Sequence, residues 1–269
     1  MKKNILLALL SGILLAISWP TYGFAIFIFT AFVPLLFAEQ HIRQTYKHTK
    51  RKVFVISYLS FLIWNVITTW WIWHSTKGGA IFAILANTLL MTIVFLFYHI
   101  VAKRMVQKVA LIFLISIWLS FEKFHLTWDI SWTWLNLGNV FSEYPTWVQW
   151  YEYTGTFGGT LWVWLINIVL FLYVNAFFET KNRKILAKGV GISVLGFAIP
   201  VIFSYFVYFN YKETENPIDV VVLQPNIDPY HEKYHTSNAE IANLLVNLSQ
   251  KNLDDKVNFL VTPETVFGD

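Results

Sequence analysis

Apolar residues along this chain gather in seven long blocks, at residues 4–19, 23–38, 53–73, 80–101, 109–121, 159–178 and 188–209. Blocks of this length predict helices. A helix needs ~20 apolar residues to cross the hydrocarbon of a bilayer. The first, second and fifth blocks are therefore short, and must recruit flanking residues or cross a thinned region. The break Ser18-Trp19-Pro20-Thr21 between the first two suits a tight re-entry, because proline disfavours helix at the residue before it. Beyond residue 209 the pattern changes. Ile218-Asp219-Val220-Val221-Val222-Leu223 is a β-branched run of strand character. Ser237 and Glu240 make a capping box, and Ile241, Leu244, Leu245 and Leu248 then fall on one face of a helix. Asn258-Phe259-Leu260-Val261 is a second strand, stopped by Thr262-Pro263. Strand, helix, strand opens a βαβ unit with a right-handed crossover. Such a unit of about 60 residues leaves strand edges unpaired and one face uncovered, so the chain is expected to stop in the middle of a domain.

The expected architecture is an α-helical polytopic membrane domain of about seven helices (residues 1–209), followed by the truncated start of an α/β domain (residues 210–269). Composition sharpens this. Hydrophobic residues make up 56% of the 269 and charged residues 13%, about half the usual charge of a soluble domain. The net charge of +4 hides an asymmetry. Up to Phe209 there are 16 Lys/Arg and 6 Asp/Glu; from Asn210 onward there are 4 Lys and 10 acids. A basic membrane part thus precedes an acidic, water-facing tail, and the basic character fits phospholipid headgroups, not nucleic acid.

With the N-terminus cytoplasmic, the inner segments carry 14 Lys/Arg, among them Arg43, Lys47, Lys50, Arg51, Lys52, Lys103 and Arg183, and the outer loops only Lys77 and Lys123. The positive-inside rule then places the tail on the outer side, the periplasm of a diderm bacterium. Met1-Lys2-Lys3 before an apolar run also fits a signal peptide with a cut near Ala16-Ile17-Ser18. Trp19-Pro20 and the next apolar block follow at once, which favours an uncleaved first helix. The absence of cysteine excludes disulfides, thiolate metal sites and a thiol nucleophile from these residues.

Residues 122–158 form a long connection rich in aromatics, including Trp128, Trp132, Trp134, Trp147, Trp150, Tyr144, Tyr151 and Tyr153. It reads either as an interfacial belt or as an amphipathic platform shaping a lipid entrance. Asn65, Asn87 and Asn167 lie within helices, where they bond between helices or line a substrate path. Gly155, Gly158 and Gly159 let a helix begin or pack closely. His74, His99, His125, His231 and His235 make no metal-ligand spacing with a carboxylate, and no cofactor or metal is implied. Asn247-Leu248-Ser249 matches a glycosylation sequon by chance, on a helix. Glu264 lies just past the carboxyl end of the second strand, where open α/β sheets place their chemistry. In a pocket that raises its pKa it serves as a general base; otherwise it is a solvated turn glutamate.

Four stretches in order carry a family resemblance. They are Ser18-Trp19-Pro20 with Gly23-Phe24; Trp134-Leu135-Asn136-Leu137-Gly138 with Gln149-Trp150, Tyr153-Thr154-Gly155 and Asn167; Leu223-Gln224-Pro225-Asn226-Ile227; and Thr262-Pro263-Glu264-Thr265. With seven preceding helices, the chain resembles the apolipoprotein N-acyltransferases, the membrane-bound branch of the nitrilase superfamily. Thr262 stands where that family often has Trp, and Pro225 where Gly is common. Tyr234, after Lys233, stands where relatives have an aromatic, a candidate for the substrate cleft. The resemblance implies a bacterial inner-membrane enzyme that takes a fatty acyl group from a phospholipid as a cysteine thioester. It then passes the acyl to the α-amino group of a diacylglyceryl-cysteine lipoprotein. It further implies a nitrilase-like fold for the tail and a Glu, Lys, Cys triad. Only the glutamate carries over, to Glu264, because Lys251 and Lys256 precede it. These 269 residues are thus expected to fold as a membrane domain and, lacking the nucleophile, to catalyse nothing.

Two other readings compete: a non-catalytic transporter or scaffold with an outer extension, and another membrane-linked nitrilase-type amidase. The helices carry little internal charge, which argues against an ion-coupled transporter.

Overall fold

A helix in lipid must satisfy every backbone polar group internally, and the apolar blocks do so as long helices. The computed structural model describes residues 1–213, 215–228, 232, 235–251, 253–254, 256–263 and 266–267. Helix α1 (Lys2–Ser18) is followed by a 3-10 turn (Ala25–Phe27), α2 (Ile28–Ala31) and α3 (Val33–Thr45). Next come α4 (Thr49–Thr69), α5 (Ile72–Ser75), α6 (Lys77–Ala102) and α7 (Gln107–His125). The long connection holds 3-10 turns at Leu137–Phe141 and Pro145–Trp147, and leads through α8 (Tyr151–Thr154) to α9 (Thr156–Thr180) and α10 (Arg183–Asn210). Strand β1 (Asp219–Val222), helix α11 (Asn238–Ser249) and strand β2 (Val257–Val261) follow. The chain divides into two compact units, Met1–Tyr211 and Lys212–Asp269.

Among the described residues, five segments are long and apolar enough to cross a membrane: Ala25–Thr45, α4, α6, α9 and α10. The second apolar block, short in sequence, gains its length by recruiting residues 39–45, so the 3-10 turn, α2 and α3 run on as one 21-residue segment. Helix α1 stays at 17 residues and α7 at 19. Helix α10 is apolar yet largely exposed, with only Gly189, Ser193 and Ser204 buried. Ile199, Ile202 and Phe206 project from it, as expected of a surface solvated by lipid.

Two devices serve buried polar residues of the helices in an apolar medium. Hydroxyls bond back one turn: Ser57 to the Val53 carbonyl (2.8 Å), Thr69 to Asn65 (2.6 Å) and Thr92 to Thr88 (2.8 Å). Asparagines bond across. Asn87 Nδ2 donates to Asn65 Oδ1 at 2.8 Å, joining α6 to α4. Asn167 Nδ2 donates to the Ile28 carbonyl at 2.8 Å while its Oδ1 accepts from Phe32 N at 2.9 Å. That second pair serves the junction of α2 and α3, whose backbone the adjoining helix turn leaves short of partners. Gly12 lets α1 approach α4 closely, since a Cβ there would lie 2.6 Å from the Ser60 carbonyl oxygen. The core is aromatic: Phe32 meets Trp164 at 4.2 Å, and Trp118 meets Trp164 at 5.2 Å and Phe61 at 5.7 Å.

The sequence reading of little internal charge needs correction. Glu39 and Glu122 are both fully buried, because α3 and α7 each continue past the apolar block that defined them. Glu39 Oε1 accepts from Arg43 Nε (3.0 Å) and lies 2.6 Å from His99 Nδ1, whose Nε2 lies 2.9 Å from Thr49 Oγ1. This chain ties α3, α6 and α4 together.

In the second unit β1 and β2 pair in parallel, with Val222 opposite Val261. The capping box forms: the Ser237 hydroxyl accepts from Glu240 N, and Glu240 Oε2 accepts from Ser237 N at 3.0 Å. Ile241 and Leu245 of α11 pack with Leu223 and Val266, whereas Val222, Phe259 and Leu260 are exposed.

Candidate functional site

Proline has no N–H to continue a helix and biases Trp19 to the extended region it adopts, so α1 stops and the chain folds back. Gly23 N donates to the Trp19 carbonyl (2.9 Å) and Phe24 N to the Ile17 carbonyl (2.8 Å). A side chain at Gly23 would collide with the Trp19 and Ile17 carbonyls. The Trp19 ring meets Trp64 of α4 edge-on at 5.2 Å. The first motif is thus a closed turn seated on the end of α4.

The long connection is built around Glu122. Its Oε1 accepts from Trp118 Nε1 (3.0 Å) and from Leu137 N (2.8 Å), and its Oε2 accepts from Thr160 Oγ1 (2.6 Å). Thr160 Oγ1 in turn accepts from Gly138 N (3.1 Å), and Tyr151 OH donates to the Gly138 carbonyl (2.9 Å). Side chains from α7, α8 and α9 therefore hold one dipeptide, Leu137-Gly138. Glycine is required there, because a Cβ would meet the Thr156 carbonyl. Gly155 adopts φ +63° and ψ −174°, a region open essentially to glycine alone, and so turns α8 into α9. Burial pushes the Tyr151 hydroxyl up from its ordinary pKa, with the nearby Glu122 carboxylate adding to it, so the group stays a donor.

Held this way, the connection is neither a plain belt nor a flat platform. Leu135, Leu137, Val140 and Phe141 plug into the core, while Trp134 is 58% exposed. Between the plugged turn and the end of the bundle lies a cavity of about 590 Å³. Its lining draws on Trp19, Pro20 and Thr21 after α1, and on Thr68, Thr69 and Trp71 around the end of α4. Trp134, Gly138, Asn139, Ser142, Glu143 and Tyr151 complete it from the connection. Trp71 meets Trp134 at 5.4 Å and Trp132 at 6.4 Å on this rim. Walls of aromatic rings with a few hydroxyl, amide and carboxyl groups suit an amphiphile, and the volume falls within the ~300–1,000 Å³ of small-molecule sites.

Not every motif residue reaches this cavity. Gln149 N donates to Ser204 Oγ (2.5 Å) and Gln149 Nε2 to the Pro145 carbonyl (2.9 Å), tying the connection to α10. Trp150 packs on Trp162 at 5.5 Å, and Tyr153 is exposed. Asn167 serves packing, as above. In the second unit Leu223 N donates to the Val261 carbonyl (2.9 Å), and Asn226 adopts φ +54°. Thr262 and Pro263 follow β2, whereas Glu264, Thr265, His231, Lys233 and Tyr234 lie outside the described residues. Among the described residues no group of three His, Asp or Glu is placed to hold a metal ion. Sequence reasoning missed Glu122 and Thr160. The available signal was an acid four residues after Trp118, in a stretch where only six acids occur before Asn210.

The first two motif stretches thus frame one cavity, and sequence comparison covers the same part of the chain. The family described as apolipoprotein N-acyltransferase N-terminal domain matches residues 11–169. The chain belongs to this family. Similar relatives, each named apolipoprotein N-acyltransferase, occur in Chlorobaculum tepidum (28% identical over 98% of this chain) and Geobacter metallireducens (26% over 84%). A third, in Thermotoga maritima, is 23% identical over 98% of this chain. The matched regions are 49%, 44% and 51% of those relatives, so the chain spans about half their length.

Proposed function

We propose that this chain is the membrane half and the opening of the catalytic domain of an apolipoprotein N-acyltransferase. The reaction moves a fatty acyl group from a phospholipid to the α-amino group of a lipoprotein's N-terminal diacylglyceryl-cysteine, through a thioester. The observation that carries the reading is the cavity of about 590 Å³ on which the turn after α1 and the Glu122-held connection converge. Trp134, Trp71 and Trp19 offer apolar walls to acyl chains, and Asn139, Ser142 and Glu143 offer polar groups to a headgroup or an incoming amine.

In this reading the N-terminus is cytoplasmic in the bacterial inner membrane and residues after about 210 are periplasmic. The second unit is the start of a nitrilase-like domain, and Glu264 is the general base of its triad. A base that draws the thiol proton makes the thiolate that attacks the ester carbonyl, and returns that proton to the departing lysophospholipid alkoxide. It then accepts a proton from the attacking amine and returns it to the thiolate released from the thioester. These residues contain no cysteine, so the thiol comes from outside them. Expressed alone they leave the lipoprotein amine free.

The experiment is mass spectrometry of a lipoprotein N-terminus in cells whose sole source of N-acyltransferase is the uninterrupted gene that contains the coding sequence of these residues. The wild-type gene adds one acyl chain to the amine, and Glu264→Gln abolishes the addition. Full acylation with Glu264→Gln sinks the catalytic assignment, and a free amine with the wild-type gene sinks the function.

A further inference from the structure

Helix α4 spans 21 residues, or ~30 Å at 1.5 Å per residue. Its last turn borders the aromatic cavity. Its first turn borders a second cavity, of about 650 Å³, lined by Lys47, His48, Thr49, Lys50, Arg51, Lys52 and Lys103. Five cations from two segments of the chain face one concavity, and among the described residues no acid lines it. The ion pairs among the described residues, Arg43–Glu39 and His99–Glu39, involve none of the five. Lys52 Nζ lies over the Tyr46 ring, 5.1 Å from its centroid.

Two features separate this cavity from an ordinary basic membrane face. Its floor is fixed: Thr49 is buried and held by His99 Nε2 at 2.9 Å, and His99 is held by Glu39. Three of its five cations are also placed where the helix itself repels them. Lys50, Arg51 and Lys52 occupy the first turn of α4, at the positive end of the macrodipole, with no acid in that turn and no side-chain cap. An anion seated among them relieves both the mutual repulsion and the dipole. Helix α10 differs although it too begins with Arg183-Lys184, because Asn182 Oδ1 caps it by accepting from Lys184 N at 2.9 Å.

We propose that this cavity binds the phosphate of an anionic phospholipid headgroup through Lys50, Arg51 and Lys103, at the end of the bundle opposite the aromatic cavity. The site is independent of the acyl-transfer reading. It fixes the protein's depth and the seating of α3, α4 and α6 against one leaflet.

Native mass spectrometry of the purified protein from mixed micelles of phosphatidylglycerol and phosphatidylethanolamine tests it. The wild type retains phosphatidylglycerol in preference. Each cation near a charged lipid surface contributes about fivefold, so K50Q/R51Q/K103Q lowers retention at least ~10-fold. The charge-preserving K50R/R51K retains lipid as wild type does. So does K181Q/R183Q/K184Q, which removes equal charge from the capped loop. Equal retention by wild type and K50Q/R51Q/K103Q overturns the proposal, as does an equal loss in the loop control or in K50R/R51K. Charge-dependent binding of added inorganic phosphate without any of phosphatidylglycerol assigns the cavity to free phosphate and overturns the lipid assignment.

Discussion

Glu122 is the side chain on which the most backbone depends. It gathers an indole, an amide and a hydroxyl in a fully buried place. Glu122→Ala strands those donors away from water, and a loss of roughly 3 kcal/mol or more is expected. Glu122→Gln keeps an acceptor for Leu137 N but offers an N–H to a Thr160 hydroxyl that needs somewhere to donate, so a smaller loss is expected. Thermal unfolding in detergent orders the three proteins wild type, Gln, Ala; identical midpoints remove Glu122 from this role. Gly155→Ala forces a Cβ into a backbone region that costs ~1–3 kcal/mol, and the same measurement reads it. Glu39 and Glu122 also bear on the transporter reading. Both are held by fixed donors, and neither lines the aromatic cavity.

Among the elements, α11 carries the plainest pH dependence. Hydrogen bonds from the Ser237 backbone N–H and hydroxyl hold the exposed Glu240 carboxyl below its ordinary range. A lowered folded pKa makes the cap's contribution fully present above the unfolded value of ~4.3 and removes it as pH falls through the folded value. Hydrogen exchange should therefore show the first turn of α11 protected near neutrality and opening below about pH 4; flat protection across that window contradicts it. This cap was legible in the sequence because its two partners are three residues apart. The apolar blocks were legible too, since length and hydropathy alone decide them. The ends of the helices were not. Glu39 and Glu122 fall just outside apolar runs, and beside Arg43 and Trp118 four residues away, the partners of their buried carboxyls lie 15 to 60 residues off. The interhelical role of Asn87 and Asn167 was legible, because lipid leaves an amide little else to bond. Asn87→Ala should cost ~1 kcal/mol in detergent unfolding, a cost that Asn65→Ala largely shares in a double-mutant cycle.

Across the whole first unit, sequence order showed which motifs exist and contact showed what they build. The cavity could not be read beforehand. Its walls come from residues 19–21, 68–71 and 134–156, and nothing local to any of these stretches says that they meet. Glu264 lies outside the described residues, so its proposed role rests on the activity test. The claim on which the account turns is that the first two motif stretches form one chamber for the acyl donor. Photolabelling of the gene product with a phospholipid carrying a diazirine in its acyl chain addresses this directly. Label is expected in peptides spanning residues 134–151, and Ser142→Trp, which fills the chamber, is expected to remove it. Label confined to the lipid-facing surface of α10, or unchanged by Ser142→Trp, contradicts the account.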